Sequence, residues 1–339
     1  MKRVKLAGAL CLAALLFLAA CGGKPGGETG DKETLTDVTL CLDWTPNTNY
    51  TGMYVAQAQG WFEEAGLNVS IVQPPEDGAV AICAAGQVEF AGTAQDSIAS
   101  AFALEEPLEI TAVATLLQHN TSGIISRAGE GMDRPAGLEG HTYSSWNTPT
   151  ELAMMEHVVT VDGGDFSQVK LIPNNIVDEA GALQEHQTDA IWVFYAWGGI
   201  SAQCSGLDFD YFDFKDIDPV FDYYTPVLVA NNDFLANQPD VAKAFLSAAA
   251  KGYEYAIEHP EEAAQMLIDG DDTGSLAGSA EMVKASQQWN GSQYKAEVER
   301  WGYIDPARWN AFYNWLNDNG LVENPIPENT SFSNDYLPQ

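Results

Sequence analysis

Apolar residues along the chain fall into short β-branched runs separated by stretches whose apolar positions recur at helical spacing. That alternation is expected of βαβ units wound into a parallel sheet. The spacing predicts strands at 38–42, 68–72, 88–91 and 109–117, with helices at 52–65, 77–85 and 96–104 between them. Gly66 stops the first of these helices. After a polar break at 118–122 a second series begins, with strands at 123–126, 141–145, 169–172 and 190–194 and helices at 150–161 and 178–185. Alternation of Asp with Phe over 208–214 has a period of two, which predicts a half-exposed strand near a sheet edge. The stretch 224–230 is apolar again, and from 232 onward the pattern is mostly helical, longest at 241–258.

The tail is expected to return and complete the first unit. Two crossings, near 118–122 and 222–226, then form a hinge between two wound lobes, lobe 1 at 37–120 plus 226–339 and lobe 2 at 121–225. The fold class is α/β.

The first twenty residues fit neither lobe. Lys2, Arg3 and Lys5 make a positive start, and an apolar run over 6–20 is too short to span a bilayer comfortably, so 1–20 reads as a secretory signal. Leu18-Ala19-Ala20-Cys21 resembles a bacterial lipobox, which makes Cys21 the lipidated first residue of the mature chain and 21–36 a flexible tether. The expected location is extracytoplasmic, on the bacterial cell membrane, held there by the lipid alone.

Charge excludes one broad class. The chain carries 48 acids against 15 bases, and three of those bases lie in the signal. A surface this acidic repels phosphates and has no basic stripe with which to release counterions, so nucleic acid is not an expected partner. Outside the signal and Cys21, the cysteines are Cys41, Cys83 and Cys204, an odd number without metal-ligand spacing. Each lies in an apolar stretch and is expected to be a small buried side chain.

In wound α/β folds ligands collect where strand ends lead into helix N-termini. Those loops hold Asp43, Trp44, Asn47 and Tyr50 after the first strand, and Thr93, Gln95, Asp96 and Ser97 after the third. The second lobe adds Trp146, Asn147, Glu151, Trp192, Tyr195 and Trp197, and the returning crossing adds Tyr223. Aromatic rings in loops would otherwise expose apolar area to water, and these loops contain no Lys or Arg. An anionic ligand would lack its usual guanidinium clamp. The expected ligand is flat, aromatic and neutral or weakly cationic, stacked on rings and paired with carboxylates and amides. The bland alternative is that the rings are core and the polar residues are helix caps. Five scattered histidines show no metal-ligand spacing, and no nucleophile elbow, phosphate loop or dinucleotide fingerprint is present, so neither catalytic residues nor a cofactor are expected.

The stretch Leu42-Asp43-Trp44-Thr45-Pro46-Asn47-Thr48-Asn49-Tyr50-Thr51-Gly52, followed by Gly60-Trp61-Phe62-Glu63-Glu64-Ala65-Gly66-Leu67, resembles the thiamine-pyrimidine family. That family joins solute-binding subunits of ABC transporters for thiamine pyrimidine precursors to fungal-type hydroxymethylpyrimidine synthases. The likeness continues weakly through 92–97 and 189–195. It implies a type II periplasmic-binding-protein fold, a pyrimidine of the hydroxymethyl or formylamino kind stacked on Trp44, and an ABC permease with its ATPase as partners; a monomer is expected. The synthase branch has a cofactor-bearing lysine and a reactive histidine where this chain has Thr93 and Ser97, so the resemblance implies a receptor and leaves the enzyme as the alternative. Tyr50 stands where the family commonly has histidine, which leaves other flat heterocycles open, a flavin or a nucleobase among them.

Overall fold

The computed structural model describes residues 35–339; the expected signal (1–20), the expected lipidation residue Cys21 and the expected tether up to residue 34 lie outside the described residues. Among the described residues ten strands form two five-stranded sheets. In chain order they are β1 (Thr36–Cys41), β2 (Leu67–Val72), β3 (Phe90–Thr93), β4 (Ile110–Thr115), β5 (Ser122–Arg127), β6 (Thr142–Ser145), β7 (Lys170–Pro173), β8 (Ala190–Phe194), β9 (Phe209–Asp213) and β10 (Val227–Asn231). The sheets are ordered β2-β1-β3-β10-β4 and β7-β6-β8-β5-β9.

Within the first sheet β1 lies parallel to β2 and β3, and within the second β6 lies parallel to β7 and β8. Two strands depart from the all-parallel expectation. β10 runs antiparallel to both β3 and β4, and β5 runs antiparallel to both β8 and β9. These are the strands that follow the two crossings. Their neighbours end where the chain leaves one lobe, so a short crossing delivers the next strand at that same end: Ser122 opposes Phe194, and Val227 opposes Thr93. The carboxyl ends of the parallel strands therefore converge on the face where the chain crosses, which is where the loops named above emerge.

Helix packing fixes the first of those loops. α1 (Thr51–Ala58) lies against the 20-residue α3 (Pro239–Glu258), with α2 (Pro149–Val161) in the second lobe and α4 (Ala280–Asn290) and α5 (Pro306–Asp318) in the tail. The α3 stripe Ala242, Phe245, Leu246, Ala249, Tyr253 and Ala256 is buried at i, i+3, i+4 and i+7 spacing. Glycine sets how near α1 can come: a Cβ on Gly252 would lie 1.8 Å from the Gly52 carbonyl oxygen. The helix expected over 52–65 is broken in two by Gly60, whose φ of 73° ordinary residues avoid. The helix expected over 96–104 contracts to Ala99–Phe102.

The apolar interior is continuous across the crossings. One cluster includes Ala91 and Ile110 of the first sheet with Ile124 and Tyr143 of the second, joined through Tyr223 and α5. Tyr223 stacks on Phe312 at 4.1 Å between centroids, and Phe221 meets Trp315 edge-on at 5.0 Å. Cys41 and Cys83 are buried and free, as their apolar settings lead one to expect; Cys204 is exposed, because it ends a helix whose buried residues are Ile200 and Ala202. Among the described residues no helix is long and apolar enough to cross a membrane.

Candidate functional site

Where the strand ends converge, a cavity of about 380 Å³ opens, lined by four tryptophans, Trp44, Trp146, Trp192 and Trp197, together with Phe194. Trp44 and Trp146 are 55% and 49% exposed, large values for indole rings, while Trp192 is buried against Phe214 at 4.2 Å. The rings meet in edge-to-face pairs: Trp44 with Trp197 at 6.4 Å, and Trp146 with Trp192 at 6.0 Å. Each pair thus leaves ring faces for a third planar group, the arrangement aromatic quadrupoles favour.

The polar lining comes from one loop, one helix start and Thr225 of the second crossing. Asp43, Asn47, Thr48 and Asn49 follow β1, and Glu179 opens the helix after β7. The β1 loop is fastened from behind. Asn47 donates to the Thr45 carbonyl and accepts from the Asn49 amide, Tyr294 donates its hydroxyl to the Thr48 carbonyl, and Tyr253 donates to that of Asn49. Thr48 also shares a 2.6 Å hydroxyl contact with Ser286 of α4. Asp43 opens to the water of the cleft, yet the protein surrounding the cleft desolvates its carboxylate and raises its pKa, against the Tyr50 hydroxyl and the amides of Asp43 and Trp44, which lower it. Burial likewise raises Glu179 above the usual carboxylate range. Both acids thus gain from a ligand that donates hydrogen bonds or carries positive charge.

A second cavity of about 280 Å³ adjoins the first and shares Trp146, Trp192 and Phe194 with it. It is lined further by Asp96, Ser97, Thr150, Glu151 and Met154. Glu151 is 4% exposed and its carboxylate accepts from the Tyr143 hydroxyl at 2.6 Å, the Ser145 hydroxyl at 3.1 Å and the Trp146 amide at 3.2 Å. It also closes a reciprocal capping box with Thr148 at the start of α2. Glu151 therefore positions the Trp146 loop. Burial raises the pKa of Asp96, opposed by the amides of Ser97 and Asp96 and by the Tyr223 hydroxyl.

Of the residues expected at a site, Asp43, Trp44, Asn47, Trp146, Trp192 and Trp197 line the first cavity, and Asp96, Ser97 and Glu151 line the second. Of the others, Tyr50, Thr93, Gln95 and Tyr223 are buried behind these walls, Tyr195 is half-buried and Asn147 is exposed. Tyr50 is fully buried, its hydroxyl 3.4 Å from the Asp43 amide and so close to Gly92 that a Cβ there would stand 1.8 Å away. Gln95 is committed to the fold, accepting from the Tyr224 amide and the Tyr313 hydroxyl and donating to the carbonyls of Tyr224 and Trp309. Thr93 is buried at the end of β3, and Tyr223 is enclosed against Phe312. Tyr195 packs on Tyr211 and Trp289, and Asn147 takes a φ of 59° while its amide donates to the Ser145 hydroxyl, so it shapes the turn that carries Trp146. Glu179, Thr48, Asn49 and Phe194 were not among the expected residues. Glu179 follows the same strand-end rule as the others; Phe194 falls in the loop segment that carries Trp192, Tyr195 and Trp197, as the last residue of an apolar strand.

Among the described residues no Lys or Arg lines either cavity. Arg127 sits at the opposite end of β5, where its guanidinium is held by Glu130, Asp189 and the carbonyls of Leu183 and Thr188. Among the described residues no group of three His, Cys, Asp or Glu side chains is placed to hold a metal ion.

The family model described as NMT1/THI5 like matches residues 47–263, more than half of the chain and the whole of both cavity linings except Asp43 and Trp44. The chain belongs to the NMT1/THI5-like family. Over 330 residues it is 29% identical to the formylaminopyrimidine-binding protein of Halalkalibacterium halodurans, covering 95% of this chain and 96% of that protein. It is 22% identical over 325 residues to a 4-amino-5-hydroxymethyl-2-methylpyrimidine phosphate synthase of Saccharomyces cerevisiae, covering 88% and 87% respectively. Among solved structures, the ligand-binding component of an ABC-type import system from Staphylococcus aureus superposes with a TM-score of 0.65 at 14% identity, covering 88% of this NMT1/THI5-like chain and 96% of that one. The fold is that of the periplasmic binding proteins, with two α/β lobes.

Proposed function

We propose that this chain is the substrate-binding lipoprotein of an ABC importer and that it captures a pyrimidine precursor of thiamine between lobe 1 (37–120 with 226–339) and lobe 2 (121–225). The observation that carries the reading is the cavity itself: four tryptophans, two carboxylates of raised pKa and no cationic side chain, a lining suited to a flat ring bearing amino groups. The near full-length similarity to a protein named for formylaminopyrimidine binding supports the same ligand class. The ring stacks on Trp44, and Asp43, Asn47 and Glu179 pair with its amino and ring nitrogens. The ligand then passes to a membrane permease driven by its ATPase.

An enzyme on this site is disfavoured by its residues. Thr93 and Ser97 stand where the synthase branch has its cofactor-bearing lysine and reactive histidine, and without an amine at 93 no Schiff base to a pyridoxal cofactor forms. The function is tested by calorimetric and thermal-shift titration of the purified protein with aminopyrimidines, riboflavin, nucleobases, sulfonates and amino acids. Binding confined to aminopyrimidines is expected, with about 2.7 kcal/mol of stabilisation at roughly 100 times the dissociation constant. Binding confined to flavins or nucleobases would keep the receptor and move its ligand, and binding confined to sulfonates would overturn the argument from the missing cations.

The anchor is tested separately. Cys21→Ala is expected to move the protein from the membrane fraction to the soluble fraction, since the lipid is the only proposed attachment. Unchanged membrane association of that variant would remove the lipoprotein assignment and leave the ligand site untouched.

A further inference from the structure

The two cavities share an aromatic wall but differ in what lies beyond it. The first, at about 380 Å³, already falls in the range of roughly 300–1,000 Å³ that accommodates a small ligand, so a single substituted pyrimidine leaves the second chamber of about 280 Å³ unfilled. That second chamber is bounded by the indoles of Trp146 and Trp192, the Phe194 ring and Met154, and two acids line it, Asp96 and Glu151. Among the described residues no Lys, Arg or His pairs with Asp96; its partners are the neutral amides of Ser97 and Asp96 and the Tyr223 hydroxyl. The other acid in the chamber, Glu151, has its carboxylate occupied by hydroxyl and amide donors from the Trp146 loop. Ring faces beside an unpaired carboxylate are the surroundings in which a weakly hydrated organic cation is held, because the quadrupole and the charge act together in a partly dry space.

We propose that the two chambers form one bipartite site, whose ligand is a flat aminopyrimidine joined through a short linker to a permanently cationic group. The ring lies in the first chamber against Trp44, and the cation lies in the second against Trp146 and beside Asp96. The inference rests on the aminopyrimidine class of the reading above and moves the ligand within that class, from a bare pyrimidine precursor to the same ring carrying a cationic group. Trp146 stands at the shared wall, so it contacts both halves, which accounts for a half-exposed indole in a loop pinned by Glu151.

The test is calorimetry on the full chain with three probes. They are 4-amino-5-hydroxymethyl-2-methylpyrimidine, thiamine, in which the same ring is joined by one methylene to a cationic thiazolium, and the neutral thiamine analogue whose quaternary nitrogen is replaced by carbon. Thiamine is expected to bind about tenfold more tightly than either of the others, the fold-change that a cation on a partly desolvated aromatic wall supplies. Asp96→Asn is expected to erase most of thiamine's advantage over its neutral analogue. The comparison of probes on the unaltered protein decides the matter even where that variant folds poorly. Equal affinity for thiamine and the ring alone overturns the bipartite site and leaves the pyrimidine receptor standing. Equal affinity for thiamine and the neutral analogue overturns the cation. Failure of all three to bind overturns this inference together with the reading it rests on.

Discussion

Trp44 shows how a single side chain separates binding from folding. At 55% exposure its indole contributes little to the lobe core, and its edge-on contact with Trp197 is its one aromatic pairing among the described residues. Trp44→Ala is therefore expected to leave the melting temperature within about 2 °C of the parent, because removal of an exposed side chain far from a core feature rarely costs more than ~0.5 kcal/mol. Its affinity for 4-amino-5-hydroxymethyl-2-methylpyrimidine should fall about tenfold, since stacking is worth roughly 0.5–1.5 kcal/mol beyond the area buried. Calorimetry paired with a thermal melt checks both halves; unchanged affinity would show that the ring does not lie on Trp44. The same scale explains which site residues the sequence could not sort. Trp44 and Tyr50 come from one loop of similar polarity, but Tyr50 turns inward because Gly92 leaves room for its hydroxyl, a vacancy made by a residue more than forty positions away. Gln95 looked like a ligand-facing amide, and its bonds to Tyr224, Trp309 and Tyr313 arise from segments that sequence spacing does not bring near it.

Strands and helices were more readily legible, because burial imposes a period on them. The alternation of Asp and Phe over 208–214 forecast a half-exposed edge, and β9 is the edge strand of its sheet, with Phe212 alone buried among its five residues. The strand-end rule likewise picks out many of the residues that line the two cavities, and extending it to the loop after β7 reaches Glu179. Strand direction was the part left unread. A strand's periodicity is the same whichever way it runs, so the antiparallel placement of β5 and β10 follows from the short crossings that precede them and from nothing within their own sequences. Helix ends were read least well where glycine intervened: Gly60 divides a continuous apolar pattern because a left-handed residue ends the run of helical dihedrals. The close approach of α1 and α3 was equally silent, since it depends on two glycines 200 positions apart meeting across a packed interface.

Across the whole molecule, the two crossings are tied to the tail by charge. His119 lies in the first crossing and Asp222 in the second, with Nδ1 2.8 Å from the Asp222 carboxylate and Nε2 2.8 Å from that of Glu297. Arg308 of α5 completes the group, 3.5 Å from Asp222 and 3.1 Å from Glu297. The hydrogen bond to Asp222 raises the His119 pKa above its ordinary 6.5, burial works against this, the Asp222 charge and Glu297 add to the rise, and the Arg308 charge opposes it. A histidine whose folded pKa exceeds its unfolded value stabilises the fold fully below the unfolded pKa and loses that contribution as pH rises through the folded one. With both ring nitrogens facing carboxylates, the imidazolium is the form that suits this position, and the window of loss opens near 6.5 and extends upward. His119→Gln keeps a donor but cannot gain the charge. The stability difference between parent and variant is thus expected to be largest near pH 6, of the order of 0.5–1 kcal/mol for a partly exposed cluster, and to shrink toward pH 9. Urea unfolding midpoints of the two proteins at pH 6 and pH 9 measure it. A difference that stays constant between those values would show that the proton on His119 contributes nothing to holding the crossings together.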